Sequence, residues 1–232
     1  MFRFKHFAID DSHSAMKIGT DGVLLGAWAR VEGCESILDV GTGTGLIALM
    51  AAQRSAEARI TAIDIDAAAA REARHNADLS PWGERITTAR ADVRSYTTEQ
   101  SFDHIVSNPP FFVDAPLSPD AARSVARHTT TLSFEELVAS AERLLVDGGR
   151  LSVVLPADGA ARFRRAAFGH LWLGRETDVV TVEGEAPKRT LMEFVRTSQP
   201  LMPRCDTLTI QHRGGVYTDE YRRLTEEFYL AF

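Results

Sequence analysis

Cysteine, long apolar runs and basic charge are all scarce in this chain, and each shortage argues against a class of protein. Cys34 and Cys205 are the only cysteines among 232 residues, and they lie too far apart for a disulfide framework or a metal knuckle. No apolar run approaches the roughly 18 residues of a membrane span, and residues 1–6 lack the apolar segment of a secretory signal. We therefore expect a cytoplasmic protein with reduced thiols, no membrane association and no metal.

The charge balance is acidic, with 26 lysine and arginine residues against 32 aspartate and glutamate residues and a net charge of −6. Nucleic-acid-binding domains usually show a basic excess, so the total charge argues mildly against a general nucleic-acid binder. Arginine nevertheless supplies 23 of the 26 basic residues, and its planar guanidinium suits bidentate contact with phosphate. An arginine-rich genomic composition explains the same excess, so charge alone leaves both interpretations open.

Buried strand patterns alternate with helix patterns along most of the chain. The strand patterns cover 36–40, 59–64, 85–89, 102–107 and 150–155, and the helix patterns cover 45–54, 67–78, 133–145 and 158–168. Two further β segments follow near 178–182 and 191–197. This alternation predicts right-handed βαβ units. The expected fold is α/β, with a mostly parallel seven-stranded sheet and helices on both faces.

Local signals mark the ends of several elements. Asp66 is expected to cap the helix that follows it, and Ser133 with Glu136 is expected to form a capping box. Asp147 and the two glycines after it are expected to close the helix that Ser133 begins. We predict a single domain, with a lead-in over 1–33, a core over 34–200 and a C-terminal extension over 201–232.

A glycine-rich loop, Asp39-Val40-Gly41-Thr42-Gly43-Thr44-Gly45, links the first core strand to a helix. Glycines there let the backbone approach a ligand closely. The dinucleotide fingerprint needs a third glycine five residues after the first, whereas this chain has Leu46 at that position. The loop therefore suits a ligand without a pyrophosphate, such as S-adenosylmethionine.

Two aspartates follow the next two strands. Asp64 ends the second strand, 23 residues after Gly41, where a carboxylate can accept both ribose hydroxyls of an adenosine. Asp92 follows the third strand, where it can accept from an adenine amino group. Both have structural alternatives, because strand-end aspartates also cap helices and form turns.

The fourth strand runs directly into Asn108-Pro109-Pro110-Phe111. The prolines fix φ near about −65° and remove two backbone donors, which leaves stiff carbonyl acceptors. Asn108 Oδ1 and the Pro109 carbonyl can accept both hydrogens of an exocyclic amine, so that its lone pair faces a methyl donor and its developing charge is stabilised. Phe111 can stack on the flat group that carries the amine. A plain proline-rich turn is the structural alternative.

These motifs identify a resemblance. The chain is similar to class I S-adenosylmethionine-dependent amino-group methyltransferases, which have a Rossmann-like fold. Within that class it resembles the bacterial tRNA1(Val) adenine-N6 methyltransferase family. The matching stretches are 16–28, 39–45, Asn76 with 80–82, 107–111, 127–128 and 217–232.

The resemblance implies N6-methylation of the adenine immediately 3′ of the anticodon in a valine tRNA. We also expect the protein to be a monomer. The implied base-binding residues are Asn108, Pro109 and Phe111. The implied cofactor-binding residues are Lys17, Asp21, Asp39, Gly41, Gly43, Gly45, Asp64, Ile65 and Asp92. Three basic clusters are candidate RNA contacts, namely Arg3, Lys5 and His6, then Arg123, Arg127 and His128, then Arg162, Arg164 and Arg165.

Three other functions use similar motifs. A glutamine-amide methyltransferase of release factors has tyrosine in place of Phe111 and a separate N-terminal helical domain, and this chain shows neither. A guanine-N2 methyltransferase of ribosomal RNA also uses Asn-Pro-Pro-Phe, so this alternative stays open. A non-catalytic RNA-binding module is a third reading, although the glycines and Asn108 are all retained.

Overall fold

The computed structural model describes residues 1–11, 18–109 and 132–231. Lys17, Phe111 and the cluster of Arg123, Arg127 and His128 lie outside these residues. The predictions for them therefore have no structural counterpart below.

A single large sheet forms the centre of the described structure. Its eight strands are β3 (Ser36–Val40), β4 (Arg59–Asp64), β5 (Ile86–Arg90), β6 (Phe102–Ser107), β7 (Leu145–Pro156), β8 (Trp172–Val182), β9 (Arg189–Val195) and β10 (Arg204–Gln211). Their spatial order is β10-β8-β9-β7-β6-β3-β4-β5. Only β9 is antiparallel to its neighbours, so the sheet is mostly parallel as predicted. A separate hairpin pairs β1 (Phe2–Arg3) with β2 (Ala8–Ile9).

The prediction of seven strands was one strand short. The additional strand, β10, lies in the C-terminal extension and adds in parallel to the outer edge of β8. Leu208 and Ile210 are its buried hydrophobic residues, whereas 204–207 are exposed. The strand is an edge strand with a half-apolar pattern, which explains why its sequence signal was weak.

Helices cover both faces of the sheet. They are α1 (Thr20–Trp28), α2 (Leu46–Arg54), α3 (Ala67–Asp78), α4 (Phe134–Leu144), α5 (Ala157–Ala167) and α6 (Asp219–Thr225), and a 3₁₀ turn covers Gly83–Arg85. The capping predictions are confirmed, since Asp66 accepts from the Ala68 N–H and Ser133 forms a full capping box with Glu136. The prediction for Asp147 was wrong, because α4 ends at Leu144 and Asp147 lies within β7.

Strand β3 is buried along its whole length, so the sheet separates two hydrophobic clusters. Ile37 points to a cluster formed with α1, α2 and α6, whereas Leu38 points to a cluster formed with α4 and α5. This alternation is the period-two geometry of a strand covered on both sides. Buried on both faces, β3 is a rigid support for the loop that follows it.

The two ends of the chain pack together on the first of these clusters. Phe4 and Phe7 from the lead-in belong to it, as does Phe228 from the extension, and the Lys5 N–H donates to the Phe228 carbonyl at 2.8 Å. The single-domain organisation and its boundaries stay a prediction. Across residues 1–11, 18–109 and 132–231, no helix is long and apolar enough to span a bilayer.

Candidate active site

The sequence motifs converge where the strand order reverses. From β3 the chain builds outward through β4 to β5 and then crosses back to β6 on the other side of β3. Val40 and Ser107 are paired at the ends of β3 and β6, and Ser107 Oγ donates to the Val40 carbonyl at 2.9 Å. The glycine loop and Asn108 therefore leave adjacent strands, about 4.8 Å apart. In open α/β sheets this point is where ligands bind.

The glycine loop has the backbone that its sequence predicts. Gly41, Gly43 and Gly45 have φ values of 71°, 55° and 83°, a region that disfavours other residues. At Gly43 a Cβ would have no neighbour within 4 Å, so the backbone there is open to a ligand. At Gly45 a Cβ would lie 3.3 Å from both Cα and Cβ of Ala73, so α3 packs directly on the loop.

Asp64 holds this loop from the neighbouring strand. Its Oδ2 accepts from the Gly43 N–H at 3.0 Å, and its Oδ1 accepts from the Asp66 N–H at 2.9 Å. Each carboxylate oxygen keeps a second lone pair for a ligand hydroxyl, so the contacts are compatible with the predicted ribose role. Beside it, Ile65 is 43% exposed and offers an apolar surface at the same strand end.

Asp39 is a fully buried carboxyl beneath the loop. Its Oδ2 accepts from Thr42 Oγ1 at 2.6 Å and from the Ala48 N–H at 3.2 Å. Its Oδ1 is buried and has no hydrogen-bond partner within the described residues. The pKa of Asp39 is raised from 3.8 to about 7, chiefly because burial disfavours the carboxylate; the bonds from Thr42 and Ala48 lower the pKa, and nearby Asp64 raises it.

This raised pKa makes stability depend on pH in a defined direction. Because the folded protein holds the Asp39 proton more tightly than the unfolded chain, the stabilisation is complete below about pH 4 and is lost as the pH rises towards 7. We expect Asp39→Asn to remove this dependence, so that the difference in unfolding free energy between the variant and the native protein changes by roughly 4 kcal/mol between pH 4 and pH 8. Urea titrations without cofactor measure it. Parallel pH profiles for the two proteins would contradict the assignment.

Asn108 presents a buried acceptor at the end of β6. The side chain is half-buried, and its Oδ1 is buried with no hydrogen-bond partner within the described residues. Pro109, which follows it, is buried. Leaving a buried carbonyl without a hydrogen bond costs free energy. A hydrogen-bond donor on a ligand would remove that cost, which favours binding of the ligand at this position.

Asp92 has a neighbour that the sequence reasoning did not consider. Arg94 Nε lies 2.9 Å from each carboxylate oxygen of Asp92, and Arg94 Nη2 lies 2.6 Å from Oδ2. This ion pair lowers the pKa of Asp92. An adenine amino group would have to share the carboxylate with Arg94, and the adenine contact of Asp92 stays a prediction.

Asp21 is likewise held by a partner. It lies in the first turn of α1, and its Oδ2 accepts from Arg189 Nε at 2.8 Å. The next residue, Gly22, packs against Leu46 at the start of α2, since a Cβ on Gly22 would lie 3.0 Å from Leu46 Cδ2. The structure therefore places Asp21 near the helix that follows the glycine loop, and its contact with cofactor stays a prediction.

One residue of the site received no role from the sequence. Asn76 is completely buried in α3, and its Nδ2 donates to the Thr44 carbonyl in the glycine loop at 2.9 Å. It contributed to the family resemblance only as a matching residue. The available signal was an amide side chain inside a helix, where asparagine is unfavourable unless it makes a specific bond.

The site combines features that fit S-adenosylmethionine. Open backbone at Gly41 and Gly43 leaves space for a ligand. Asp64 has acceptor capacity for hydroxyls, and the buried Oδ1 of Asp39 can receive a positively charged or hydrogen-donating group. In the described part of the chain, no cluster of three or more histidine, cysteine, aspartate or glutamate side chains is placed to hold a metal ion.

Comparison with known proteins identifies close relatives. The family model described as Methyltransferase small domain matches residues 12–173. A protein of Phocaeicola vulgatus named tRNA1(Val) (adenine(37)-N6)-methyltransferase is 49% identical, over 99% of this chain and 97% of its own length. A protein of Trichodesmium erythraeum with the same name is 43% identical, over 100% of this chain and 98% of its own length.

Solved structures share the fold. A predicted O-methyltransferase from Agrobacterium tumefaciens has a TM-score of 0.71 at 23% identity, covering 90% of this chain and 96% of its own. A putative class I S-adenosylmethionine-dependent methyltransferase from Listeria monocytogenes has a TM-score of 0.57 at 14% identity, covering 89% and 67%. At these identities the likeness concerns the fold alone.

Proposed function

Because this chain belongs to the tRNA1(Val) (adenine(37)-N6)-methyltransferase family, within the methyltransferase small-domain proteins, we propose that it methylates N6 of the adenine 3′ of the anticodon in a valine tRNA. S-adenosylmethionine is the methyl donor. The relatives match over nearly the whole of both chains, so the family assignment includes the lead-in and the extension as well as the core.

The observation that best supports the reaction is the position of Asn108 Oδ1. It is a buried acceptor without a partner in the described residues, and it follows the strand adjacent to the glycine loop. An adenine N6 amine is a poor nucleophile because its lone pair is delocalised into the ring. An acceptor for its hydrogens turns that lone pair towards the methyl donor and stabilises the developing positive charge.

The remaining residues have supporting roles in this proposal. Asp64 receives the ribose hydroxyls, Ile65 and Asp92 lie along the adenine, and the glycines admit the cofactor to the backbone. Asp39 receives positive charge through its buried Oδ1, and Lys17 and Asp21 approach the methionine end. Pro109 presents a stiff carbonyl to the target amine, and Phe111 stacks on the base. No strong general base is required, since the methylated ammonium loses its proton readily.

The target base is reached in a single-stranded loop. Extruding a loop base costs less than flipping one out of a duplex, and RNA-binding proteins commonly stack such bases on aromatic side chains. Basic residues outside the site are candidate phosphate contacts. Of these, Arg164 lies 2.6 Å from a carboxylate oxygen of Glu176, which makes it the weakest candidate. A monomer acting in the cytoplasm, where tRNA is found, completes the proposal.

Methyl transfer to defined substrates tests the proposal. The protein is incubated with methyl-labelled S-adenosylmethionine and, separately, with unmodified valine tRNA, ribosomal RNA and release factor. We expect label as N6-methyladenosine in the tRNA. A matched transcript with guanosine in place of the adenine 3′ of the anticodon should accept none. Label confined to release factor, or N2-methylguanosine in ribosomal RNA, would replace the proposed reaction with one of the related ones.

A further inference from the structure

We infer that Asn76 is a positioning residue that fastens the cofactor loop to the N-terminal lead-in, so that cofactor affinity depends on this amide. The inference rests on the proposed function only in treating the glycine loop as the cofactor site. Asn76 makes its contacts from α3, and it would act through the loop backbone without touching substrate.

Three hydrogen bonds use the Asn76 amide. Nδ2 donates to the Thr44 carbonyl at 2.9 Å and to the Asp10 carbonyl at 2.9 Å, and Oδ1 accepts from the Asp10 N–H at 2.8 Å. The side chain is 0% exposed. Both N–H groups of the amide are therefore in use, and its oxygen is bound as well. No other side chain of similar size offers two donors and an acceptor in this arrangement.

The loop end of this contact is a carbonyl that lies between two glycines. Thr44 lies between Gly43 and Gly45, which both have positive φ, so the loop backbone has little intrinsic preference for one shape. In a regular α-helix the Ala48 N–H would donate to the Thr44 carbonyl four residues earlier. Here it donates to Asp39 Oδ2 instead. Asp64 holds the Gly43 N–H from one side, and Asn76 holds the Thr44 carbonyl from the other. The first half of the loop is held separately, because the Gly41 and Thr42 N–H groups both donate to the Ile63 carbonyl, so Asp64 and Asn76 anchor the second half.

The lead-in end of the contact resembles a pairing between two backbones. Asp10 offers its N–H and its carbonyl to one amide, directly after Ile9, which is fully buried in the core. Residue 10 comes just before the stretch that contains Lys17 and α1. The Asn76 amide therefore joins two segments that are far apart in sequence, and each segment limits the freedom of the other.

Packing between α3 and the loop adds to this role. Ala73 lies one helical turn before Asn76 on the same face, and a Cβ at position 45 would lie 3.3 Å from the Cα and Cβ of Ala73. The glycine loop therefore packs on the face of α3 formed by Ala73 and Asn76. Ala73 makes the apolar contact, and Asn76 makes the hydrogen bond.

Asn76→Asp tests the inference with almost no change in volume. The carboxylate keeps the acceptor for the Asp10 N–H, but it turns an acceptor towards the carbonyls of Asp10 and Thr44. We expect the dissociation constant for S-adenosylmethionine, measured by calorimetry without RNA, to rise roughly 10- to 100-fold. At saturating cofactor, kcat should stay within about threefold of the native value, because no group at the reacting atoms has changed.

Three other variants separate positioning from a general loss of stability. Ser55→Ala removes a buried hydroxyl that accepts from the Ala58 N–H beyond the opposite end of α2, and it should lower the Tm without changing cofactor affinity. Asp10→Pro removes the N–H bound by Asn76 Oδ1, and it should weaken cofactor binding in the same direction. Asp10→Ala keeps that N–H and should weaken cofactor binding less than Asp10→Pro does.

The double variant decides whether Asn76 positions the loop or only stabilises the fold. If Asn76 acts through the lead-in, Asn76→Asp and Asp10→Pro together should weaken binding by less than the product of their separate effects. A fall in kcat and in active fraction with an unchanged dissociation constant would overturn the inference, as would equal weakening by Ser55→Ala. Because binding is measured without RNA, failure to methylate tRNA would count against the proposed function and not against Asn76. If Asn76→Asp does not fold, the Asp10 pair still decides the outcome.

Discussion

Replacing Asn108 with alanine is expected to lower kcat roughly 10²- to 10³-fold, the usual effect of removing one preorganised polar contact that acts in the transition state. The dissociation constant for S-adenosylmethionine should change by less than about threefold. Asn108 follows β6 on the far side of β3 from β4, whereas Asp64 ends β4. The proposed acceptor for the base and the proposed carboxylate for the cofactor thus belong to different halves of the sheet. Loss of the first should therefore lower kcat, whereas loss of the second should raise the dissociation constant for the cofactor.

The expected loss has a specific physical origin. Asn108 Oδ1 is buried without a partner in the described residues, so alanine removes an acceptor without leaving a new unsatisfied group behind. The folded protein should therefore be as stable as the native one or slightly more stable. Lower turnover together with an unchanged or higher Tm would show that the amide serves the reaction and not the fold.

Asn108→Asp is the matched variant for this experiment. It keeps an acceptor oxygen at nearly the same position, so it should retain more activity than alanine, and single-turnover rates with the same tRNA compare the two. Equal inactivity of both variants would mean that the amide N–H groups matter more than the oxygen. A parallel loss of cofactor affinity in the alanine variant would assign Asn108 to the cofactor site.

The central part of the fold could be predicted from the sequence because its signals are local and mutually consistent. The residues of β3 are all buried, and an apolar run followed directly by glycines indicates a strand that enters a ligand-binding loop. The strand pattern over 59–64 placed Asp64 at the end of β4, in the strand that follows the glycine loop, and the Asp64 carboxylate does contact that loop. Parallel strands bring their carboxyl ends to one edge of the sheet. Because the glycine loop, Asp64 and Asn108 each lie at such an end, the sequence predicted that these motifs would lie close together.

The features that the sequence did not reveal depend on contacts that sequence spacing does not specify. The edge strand β10 has a half-exposed pattern and is stabilised by its pairing with β8. Asp92 was assigned by its position after a strand, and its pairing with Arg94 is a side-chain geometry that spacing does not specify. Asn76 bonds to a residue 66 positions away and to another 32 positions away. In each case tertiary structure determines what the residue contacts.

Replacing Asp64 with alanine is expected to raise the dissociation constant for S-adenosylmethionine by roughly 10²-fold or more, because charged hydrogen bonds to the ribose hydroxyls are lost together with the anchor of the loop. Asp64 Oδ2 accepts from the Gly43 N–H, and Oδ1 accepts from the Asp66 N–H. Removing the carboxylate therefore also frees the loop backbone at a glycine. Calorimetric titration of S-adenosylhomocysteine measures the combined effect.

A second ligand separates these two contributions. The native protein should bind the 2′,3′-dideoxy analogue of S-adenosylhomocysteine more weakly than the parent ligand, whereas Asp64→Ala should bind both with similar affinity, because the carboxylate that distinguishes them is gone. Any weakening that the variant shows for the dideoxy analogue, relative to the native protein, measures the loop anchor alone. Asp66→Ala is the control, since Asp66 caps α3 two residues further on. Its loss should cost about 1 kcal/mol of stability and leave affinity for both ligands unchanged. If Asp64→Ala still discriminated between the two ligands as strongly as the native protein, another residue would bind the ribose and Asp64 would only support the loop.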